Sequence, residues 1–317
     1  KARVAPEAPA SGRGAGVIEM DHVRFSYDPE VELISDLSLR VEPGQTAAIV
    51  GPTGAGKTTL IEIIHGARRP RTGTIRLLGR PPLPRDPALL ARIGVQSQAA
   101  AFFSHATAWE HLSTIASLFG ASQARAEQLM EIMGLGRVRN SRVEHLSGGE
   151  RQRLAIASAV IHHPEVLFLD EPTAALDATA RHDLAELLTT MWEEGTTIIC
   201  TTCCPSEAEH LCDTVSILEA GRLLTTASPT TLTAGTVPSA ILLPPDAADY
   251  LDTITALPGI HHARTAPNGI LIQVHNRDQA LAALKQAGIS TARAQIHVPT
   301  LEDAYIKITR DERPDRQ

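Results

Sequence analysis

Residues 46–58 read Thr-Ala-Ala-Ile-Val-Gly-Pro-Thr-Gly-Ala-Gly-Lys-Thr, so an apolar run leads directly into a glycine-rich loop. Gly51 to Thr58 fits the pattern G-x-x-x-x-G-K-S/T, whose glycines let backbone N–H groups converge on phosphate oxygens. A helix predicted over 59–65 would add the partial positive charge of its N-terminus. Lys57 would reach the β and γ phosphates of a nucleotide, and the Thr58 hydroxyl would bind Mg²⁺. The predicted phosphate-binding residues are Gly51, Pro52, Thr53, Gly54, Ala55, Gly56, Lys57, Thr58 and Thr59.

The apolar run before the loop is one of several that have the character of buried strands. Residues 46–50, 166–169 and 196–200 are short and lack polar alternation, as strands do when both faces of a parallel sheet are covered. Helical segments such as 125–133 lie between them. From 17 to about 232 the pattern therefore predicts an α/β fold. A strand before the loop and a helix after it disfavour a chance glycine-rich turn.

Two carboxylates stand at the end of one of these runs. Asp170 and Glu171 follow residues 166–169, and ligands collect at the carboxyl ends of the strands in such sheets. Asp170 suits a Mg²⁺ ligand, and Glu171 suits a general base for an attacking water molecule. An ordinary strand-to-turn pair is the alternative because Pro172 follows at once. The phosphate loop upstream favours the functional interpretation.

A second anion site is predicted at residues 146–153, Leu-Ser-Gly-Gly-Glu-Arg-Gln-Arg. Ser147 and Glu150 have the spacing of a capping box at the start of a helix. Glycines in a first turn cost about 1 kcal/mol each of helix stability. Gly148 and Gly149 therefore indicate that something approaches the backbone closely. A helix N-terminus with an exposed serine binds anions, although a well-capped helix alone is the simpler alternative.

These three elements together resemble the nucleotide-binding subunits of ATP-binding cassette (ABC) transporters, and Leu-Ser-Gly-Gly-Glu is close to the signature motif of that family. The resemblance covers 17 to about 232 and implies a P-loop nucleotide-binding cassette, with a RecA-like core and a helical subdomain at about 99–160. It also implies ATP and Mg²⁺ as ligands. The family forms a head-to-tail dimer that holds ATP between the phosphate loop of one subunit and the signature of the other. The residues that would serve the partner's nucleotide are Ser147, Gly148, Gly149 and Glu150.

Further positions follow from the resemblance one at a time. Tyr27 is similar to the aromatic residue that stacks on adenine, although an aromatic strand residue in the core is the alternative. Gln98 is assigned, by its spacing from the start of the preceding strand, to the glutamine that contacts Mg²⁺ and water, with Gln96 left open. Asp177 lies in a segment that resembles the loop crossing the dimer interface. The segment 106–112 is similar to the one that faces the membrane subunit.

The chain departs from the family pattern where the last core strand ends. The family normally places a histidine there, in contact with the γ-phosphate, and the register of the downstream residues puts Cys203 at that position. A neutral thiol is a weak donor, so hydrolysis is expected to be slow or to depend on a partner with an intact site. The run Cys200-x-x-Cys203-Cys204 also leaves a metal or redox site open. Against that, Cys200 lies in an apolar strand, where cysteine acts as a small apolar residue.

The chain after about residue 239 has smaller elements. Their β-α-β-β-α-β order predicts a small α+β domain of the split βαβ type. The predicted elements are strand 240–243, helix 246–257, hairpin strands 260–264 and 270–274, helix 278–287 and strand 294–298.

The length of 317 residues fits about two domains. The Thr-, Ser- and Pro-rich stretch 228–238 is predicted to link them. The predicted parts are a flexible segment 1–16, an ABC nucleotide-binding domain 17–232, an accessory or regulatory α+β domain 233–309 and a flexible tail 310–317.

Composition excludes several classes of protein. A net charge of −7 disfavours a surface that binds nucleic-acid phosphates. With 43% hydrophobic and 21% charged residues the chain can bury a core. No apolar run approaches the length of a membrane-spanning helix. The four cysteines are clustered within 200–212, which favours a reducing compartment over a disulfide framework.

The segment 298–307 strongly resembles the C-terminal end of the daunorubicin-resistance type of drug exporter ATPases, whereas 25–28 and 51–56 are more similar to fused exporters. The resemblance implies an ATP-hydrolysing subunit at the cytoplasmic face of the membrane. It would drive membrane transporter subunits together with a second nucleotide-binding subunit, and would export drug-like or lipid-like compounds. The alternatives are a soluble ABC ATPase that acts on ribosomes or DNA, and a regulatory member with little hydrolysis, suggested by Cys203.

Overall fold

The computed structural model describes residues 16–236, 239–274 and 276–312. Of the predicted flexible ends, 1–15 and 313–317 lie outside these residues. Among the helices in the described ranges, none combines the length and apolar character that a bilayer span requires.

The described residues divide into two compact units. The first contains the chain through Cys203 together with Leu211–Thr226. The second contains Cys204–His210 and the chain from Ala227 onward. This division differs from the single predicted boundary between 232 and 233, because the short segment Cys204–His210 also belongs to the second unit.

The strands of the cassette form one large parallel sheet and one small antiparallel sheet. The strands are β1 (Ile18–Phe25), β2 (Ile34–Val41), β3 (Thr46–Val50), β4 (Thr72–Leu77), β5 (Ile93–Gln96), β6 (Val166–Asp170), β7 (Thr197–Thr202), β8 (Thr214–Glu219) and β9 (Arg222–Ala227). The large sheet has the order β5-β6-β7-β3-β8-β9, in which β5, β6, β7, β3 and β8 are parallel neighbours. Every residue of β3 and of β6 is buried, as predicted for strands that are covered on both faces.

The small sheet has the antiparallel order β2-β1-β4. Its buried residues, such as Ile18 and Leu37, join Leu60 and Phe168 in one hydrophobic cluster. This cluster fixes the first helix between the two sheets. The helices of the first unit are α1 (Lys57–Ile64), α2 (Pro87–Leu90), α3 (Ala108–Leu118), α4 (Gln123–Ile132), α5 (Gly148–Val160) and α6 (Ala178–Glu193).

A second hydrophobic cluster holds α3, α4 and α5 together and continues onto α6. Leu112, Leu129 and Leu154 are fully buried in it. Helix α4 was predicted over 125–133, and Gly134 follows its end with φ 62°, in the left-handed region that favours glycine. Helices α3, α4 and α5 lie within the predicted helical subdomain of about 99–160.

The second unit has the predicted β-α-β-β-α-β order. Its elements are α7 (Pro205–Leu211), α8 (Pro229–Thr236), β10 (Ser239–Leu243), α9 (Leu251–Thr255), β11 (Ile260–Ala266), β12 (Gly269–Val274), α10 (Arg277–Gln286), β13 (Gln295–His297) and α11 (Leu301–Asp311). The two helices of the predicted order are α9, which follows a 3-10 turn at Pro245–Tyr250, and α10. The strands form an antiparallel sheet in the order β11-β12-β10-β13, with a core of residues such as Ile241, Ile272 and Leu284.

Two predictions near the ends of the second unit are wrong. The stretch taken as a linker contains helix α8, because Ser228 Oγ accepts a hydrogen bond from the Thr231 backbone N–H (3.1 Å) and Leu232 is buried; residues 237 and 238 lie outside the described ranges. The stretch taken as a flexible tail begins inside helix α11, which runs through Asp311. Helix α11 packs on α8, and its Leu301 N–H donates to Glu209 Oε2 in α7 (3.2 Å).

Candidate nucleotide-binding site

The glycine-rich loop joins β3 to α1, as its sequence predicts. Gly54 and Gly56 have φ of 85° and 102°, in the left-handed region that glycine adopts without steric cost. A Cβ added at Gly51 would lie 2.2 Å from the carbonyl oxygen of Leu218. Only glycine therefore fits where the loop passes β8. Helix α1 begins at Lys57, so its N-terminal N–H groups lie directly after the loop.

The side chain of Lys57 is 5% exposed and lies over the loop. Its Nζ donates to the carbonyl oxygens of Gly51 (2.8 Å) and Pro52 (3.1 Å). The same atom lies 3.1 Å from Glu171 Oε1. The fold thus brings together the residue predicted to bind phosphate and the residue predicted to act as base.

The acidic end of β6 is held by a threonine at the end of the neighbouring strand β7. Thr201 Oγ1 donates to Asp170 Oδ1 (2.5 Å) and accepts from the backbone N–H of Glu171 (3.0 Å). Glu171 has φ 47°, which is uncommon for a residue other than glycine. Backbone strain of this kind clusters at functional sites. A strained turn that directs its carboxylate at Lys57 favours the functional interpretation over an ordinary strand-to-turn pair.

Two buried oxygens in this region are available to a cation. Asp170 Oδ2 and Gln96 Oε1 are buried, and neither has a hydrogen-bond partner within the part of the chain that the structure describes. Gln96 Nε2 donates to the carbonyl oxygen of Asp170 (3.3 Å), so the two side chains are neighbours. Buried polar atoms are normally paired. Carboxylate and amide oxygens are ligands that Mg²⁺ accepts, so these residues fit that ion.

The two glutamines differ in their surroundings. Gln96 ends β5 and is 1% exposed beside Asp170. Gln98 lies beyond the end of the strand and is exposed. The assignment of Gln98 to Mg²⁺ and water stays a prediction, and the structure adds an observation in favour of Gln96.

Replacing Thr201 with Val is expected to lower kcat for ATP hydrolysis by roughly tenfold, because the loss of its hydroxyl leaves Asp170 Oδ1 and the Glu171 N–H without that partner. The matched control is Thr196→Val at the other end of the strand, where the hydroxyl donates to the carbonyl oxygen of Pro164 (3.2 Å). We expect the control to lower stability but to leave kcat unchanged. Equal kcat values for the two variants would show that Thr201 does not position the carboxylates.

The Ser-Gly-Gly-Glu segment begins α5 with a complete capping box. Ser147 Oγ accepts from the Glu150 N–H (3.3 Å), and the Ser147 N–H donates to Glu150 Oε2 (2.8 Å). This backbone hydrogen bond lowers the pKa of Glu150 below its usual value. The two glycines have different surroundings. A Cβ at Gly149 would lie 2.8 Å from the Ala175 carbonyl oxygen, whereas a Cβ at Gly148 would meet no described atom within 4 Å.

Comparison with known proteins identifies the family of the chain. The family model for the ABC transporter domain matches residues 34–174. The chain is also 33% identical over 305 residues to the Nod factor export ATP-binding protein I of Paraburkholderia xenovorans (strain LB400). The aligned residues cover 94% of this chain and 98% of that protein. The chain belongs to the ABC transporter ATPase family.

A second relative and a solved structure agree with this assignment. The daunorubicin resistance ATP-binding protein DrrA3 of Streptomyces coeruleorubidus is 33% identical over 290 residues, 88% of this chain and 92% of that protein. A structure described as the ATP binding subunit of an ABC transporter matches with a TM-score of 0.64 and 27% identity, over 69% of this chain and 92% of that one. The chain is therefore an ABC ATPase, which binds ATP and hydrolyses it, with the P-loop fold that its sequence predicts.

In this ABC ATPase, Tyr27 lies outside the core. It is 59% exposed, whereas Phe25 occupies the buried position at the end of β1. The Tyr27 hydroxyl hydrogen-bonds with Thr59 Oγ1 (3.0 Å), and the Arg68 guanidinium lies 4.7 Å from the ring centroid. The alternative of a core aromatic residue is wrong for Tyr27. An exposed ring beside α1 is compatible with stacking on adenine, which stays a prediction.

The remaining predicted residues of the ABC ATPase lie at the edges of the site. Cys203 is exposed and directly follows β7. The carbonyl oxygen of Thr202, the residue before it, accepts a hydrogen bond from the Gly51 N–H (3.3 Å). The strand end therefore runs beside the phosphate loop. Asp177 is exposed and caps α6, where its Oδ1 accepts from the Ala180 N–H (2.8 Å).

Two residues that organise the site, Thr201 and Gln152, were not predicted from the sequence. Thr201 lies beyond the predicted end of its strand, and no motif marks it. Gln152 lies within the quoted signature segment, and its Nε2 donates to the carbonyl oxygens of Pro172 (3.1 Å) and Glu171 (3.4 Å). This contact connects α5 to the turn that carries the predicted base. The sequence holds one indication of the role of Gln152, which is that a polar side chain lies on the apolar face of a predicted helix.

Proposed function

We propose that this ABC ATPase is the ATP-hydrolysing subunit of a membrane exporter of drug-like or lipid-like compounds. The observation that carries the proposal is the group that Lys57, Asp170 and Glu171 form at the carboxyl ends of β3 and β6. The export role is supported by relatives whose names describe Nod factor export and daunorubicin resistance. The subunit would work at the cytoplasmic face of the membrane through a membrane partner.

The ligands of the proposed Mg²⁺ are Thr58, Asp170 and a glutamine. The ion would neutralise the charge that develops on the β and γ phosphates during transfer. The buried, unpartnered oxygens of Asp170 and Gln96 support this ligand set. Gln98 is the second candidate for the glutamine, from its place in the family pattern.

Hydrolysis in this proposal depends on an exchange of ion pairs. A γ-phosphate carries more negative charge than a carboxylate, so Lys57 would leave Glu171 for the phosphate when ATP binds. The Glu171 carboxylate would then accept a proton from the attacking water molecule. The 3.1 Å contact between Lys57 and Glu171 supports this sequence of events. When Lys57 moves to the phosphate, the Glu171 carboxylate loses its ion-pair partner in the same step.

Two copies of the cassette are proposed to share each nucleotide. Ser147 presents its hydroxyl at the N-terminus of α5, and Gly148 borders open space within the described chain. An anion can therefore approach this helix end from outside the subunit. Gly149 and Glu150 complete the segment, and Asp177, which is exposed, would lie at the subunit boundary. The second copy is either this chain, in a homodimer, or a different cassette, in a heterodimer.

The membrane partner is proposed to dock at a cavity of ≈ 520 Å³ beside the predicted segment 106–112. Burial lowers the pKa of both His65 and His111 in its wall to about 4, so both imidazoles are neutral at physiological pH. Phe119, 42% exposed, lies at the same cavity. The lining also contains the charged residues Glu62 and Arg85. An exposed aromatic ring beside two neutral histidines suits an apolar segment of a partner. Its lining includes His65, Phe102, His111, Ile115, Phe119 and His162.

Cys203 is proposed to slow hydrolysis, because a thiol donates a weaker hydrogen bond to phosphate than an imidazole. The test is steady-state Mg-ATP hydrolysis by the wild type and by Cys203→His, each alone and with a co-purified membrane partner. We expect the variant to be roughly tenfold faster. Equal rates would show that Glu171 and the remaining groups suffice. That result would favour a self-sufficient homodimer.

A regulatory ABC protein with little hydrolysis is the second candidate, and the thiol at position 203 is the observation that favours it. Tight ATP binding without turnover, with the membrane partner present, would support this candidate against the exporter motor. Co-purification with ribosomes or nucleic acid would instead support a soluble ABC ATPase, which the net charge of −7 disfavours.

A further inference from the structure

Two of the four cysteines lie in contact within the first unit. The Sγ atoms of Cys200 and Cys212 are 3.7 Å apart, and one thiol donates a hydrogen bond to the other. Cys200 is half-buried in β7, whereas Cys212 is buried. The spacing of the sequence draws attention to Cys200, Cys203 and Cys204. The fold instead pairs Cys200 with the cysteine farthest along the chain.

Contacts with the same neighbouring strand, β3, hold both members of the pair in place. Cys200 lies between β3 and β6, in register with Ala48 of β3. Cys212 precedes Asp213, whose N–H donates to Thr46 Oγ1 (2.9 Å) and whose Oδ2 accepts from the Thr46 N–H (2.8 Å). These contacts fix the backbone on both sides. The sulfur atoms are therefore kept near each other by the fold, and the pair is preorganised for reaction.

We propose that Cys200 and Cys212 are an oxidisable dithiol pair, and that their disulfide slows ATP turnover. The sulfur atoms of a disulfide are about 2.0 Å apart, so closure needs an approach of about 1.7 Å from the observed 3.7 Å. The first part of the proposal concerns the thiols alone. The second part rests on the proposed hydrolysis at the site described above.

The co-reactant is a small-molecule disulfide such as oxidised glutathione. The more accessible Cys200 thiolate attacks one glutathione sulfur, which forms a mixed disulfide and releases the other glutathione as a thiolate. Cys212 then attacks the Cys200 sulfur as a thiolate and displaces the second glutathione. The two protein sulfurs are oxidised and the glutathione disulfide is reduced by the same two electrons. The protons of the two protein thiols end on the released glutathione.

A disulfide at this place would act on the site through β7. Thr201, next to Cys200, holds Asp170 and the turn at Glu171. The bond would also close a loop that contains Cys203. Because catalysis is sensitive to shifts of about 1 Å in its positioning groups, a displacement of β7 would lower turnover. A structural metal ion is a poorer occupant, since the described residues contain no group of three or more His, Cys, Asp or Glu suited to one.

The experiment treats the purified 317-residue chain with oxidised glutathione and maps disulfides by mass spectrometry of a non-reduced digest. We expect a peptide that links Cys200 to Cys212 in the wild type and in the matched control Cys204→Ser. The linked peptide should be missing from Cys200→Ser, whose substituted position is only half-buried. Disulfides that join other cysteines instead, or the absence of any link between these two residues, would overturn the proposal.

Turnover is measured on the same samples before oxidation, after oxidation and after reduction with dithiothreitol. We expect oxidation to lower kcat of the wild type by roughly tenfold, and reduction to restore it, while Cys200→Ser is insensitive. Formation of the disulfide with unchanged turnover, or equal inhibition of Cys200→Ser, would overturn the regulatory part. If the reduced wild type shows no turnover at all, the proposed hydrolysis fails, and the mapping still decides the dithiol pair.

Discussion

Replacing Glu171 with Gln is expected to lower kcat for ATP hydrolysis by roughly 10²-fold or more, because the amide cannot accept a proton from the attacking water molecule. The amide keeps the size of the side chain and its place beside Lys57, where the carboxylate now lies 3.1 Å from Nζ. ATP should therefore still bind. The measurements are steady-state release of phosphate and the equilibrium binding of ATP by the same preparations.

The matched control for this variant is Glu165→Gln. Glu165 precedes the same strand at its other end and forms an exposed ion pair with Arg92. Exposed ion pairs contribute little, so kcat of the control should equal that of the wild type. Wild-type turnover by the Glu171→Gln variant would exclude Glu171 as the base.

Replacing Lys57 with Ala is expected to weaken ATP binding by on the order of 10²-fold, which corresponds to the loss of charge-assisted hydrogen bonds to phosphate. Lys57 is 5% exposed, and its Nζ lies over the loop against the carbonyl oxygens of Gly51 and Pro52. The substitution also leaves Glu171 without its ion-pair partner. The measurement is the Kd for ATP by isothermal titration calorimetry.

The control for the lysine is Lys285→Ala, which removes an exposed lysine from α10 in the second unit. Its Kd for ATP should match that of the wild type. Circular dichroism of both variants shows whether the fold is retained. A Lys57→Ala variant that is folded and binds ATP with the wild-type Kd would contradict the assignment of the loop.

Local motifs made the centre of the site predictable. The loop from Gly51 to Thr58 needs a specific backbone conformation, and the consecutive residues of the motif indicate that conformation directly. Asp170 and Glu171 follow a strand whose burial is evident from its apolar run. The order of strands and helices in the second unit was predictable for the same reason, because alternation and turn residues act over short distances.

Long-range contacts could not be predicted in this way. Thr201 acts on Asp170 across a sheet, over 31 positions of sequence, and threonine is common in strands. Helix α8 was taken as a linker because its Thr and Pro residues have low helix propensity, whereas capping by Ser228 and burial of Leu232 decide its structure. The pairing of Cys200 with Cys212 depends on how β7 and the turn at Asp213 meet β3.

We propose that each ATP is hydrolysed between the phosphate loop of one subunit and the signature of another. Two defective chains test it: Lys57→Ala, and Gly148→Asp, which places a negative charge where ATP would approach. A Cβ at Gly148 meets no described atom of its own chain within 4 Å, and an acidic residue in the first turn of a helix is favourable. The Gly148→Asp chain should therefore fold normally.

The decisive measurement is steady-state Mg-ATP hydrolysis by each defective chain alone and by an equal mixture. In a head-to-tail dimer, only the mixed pair has one site in which both halves are intact. We expect negligible turnover for each chain alone and about a quarter of the wild-type rate for the mixture, since half of the dimers are mixed and each has one working site. A mixture no more active than its separate components, or full activity of Gly148→Asp alone, would contradict the shared site.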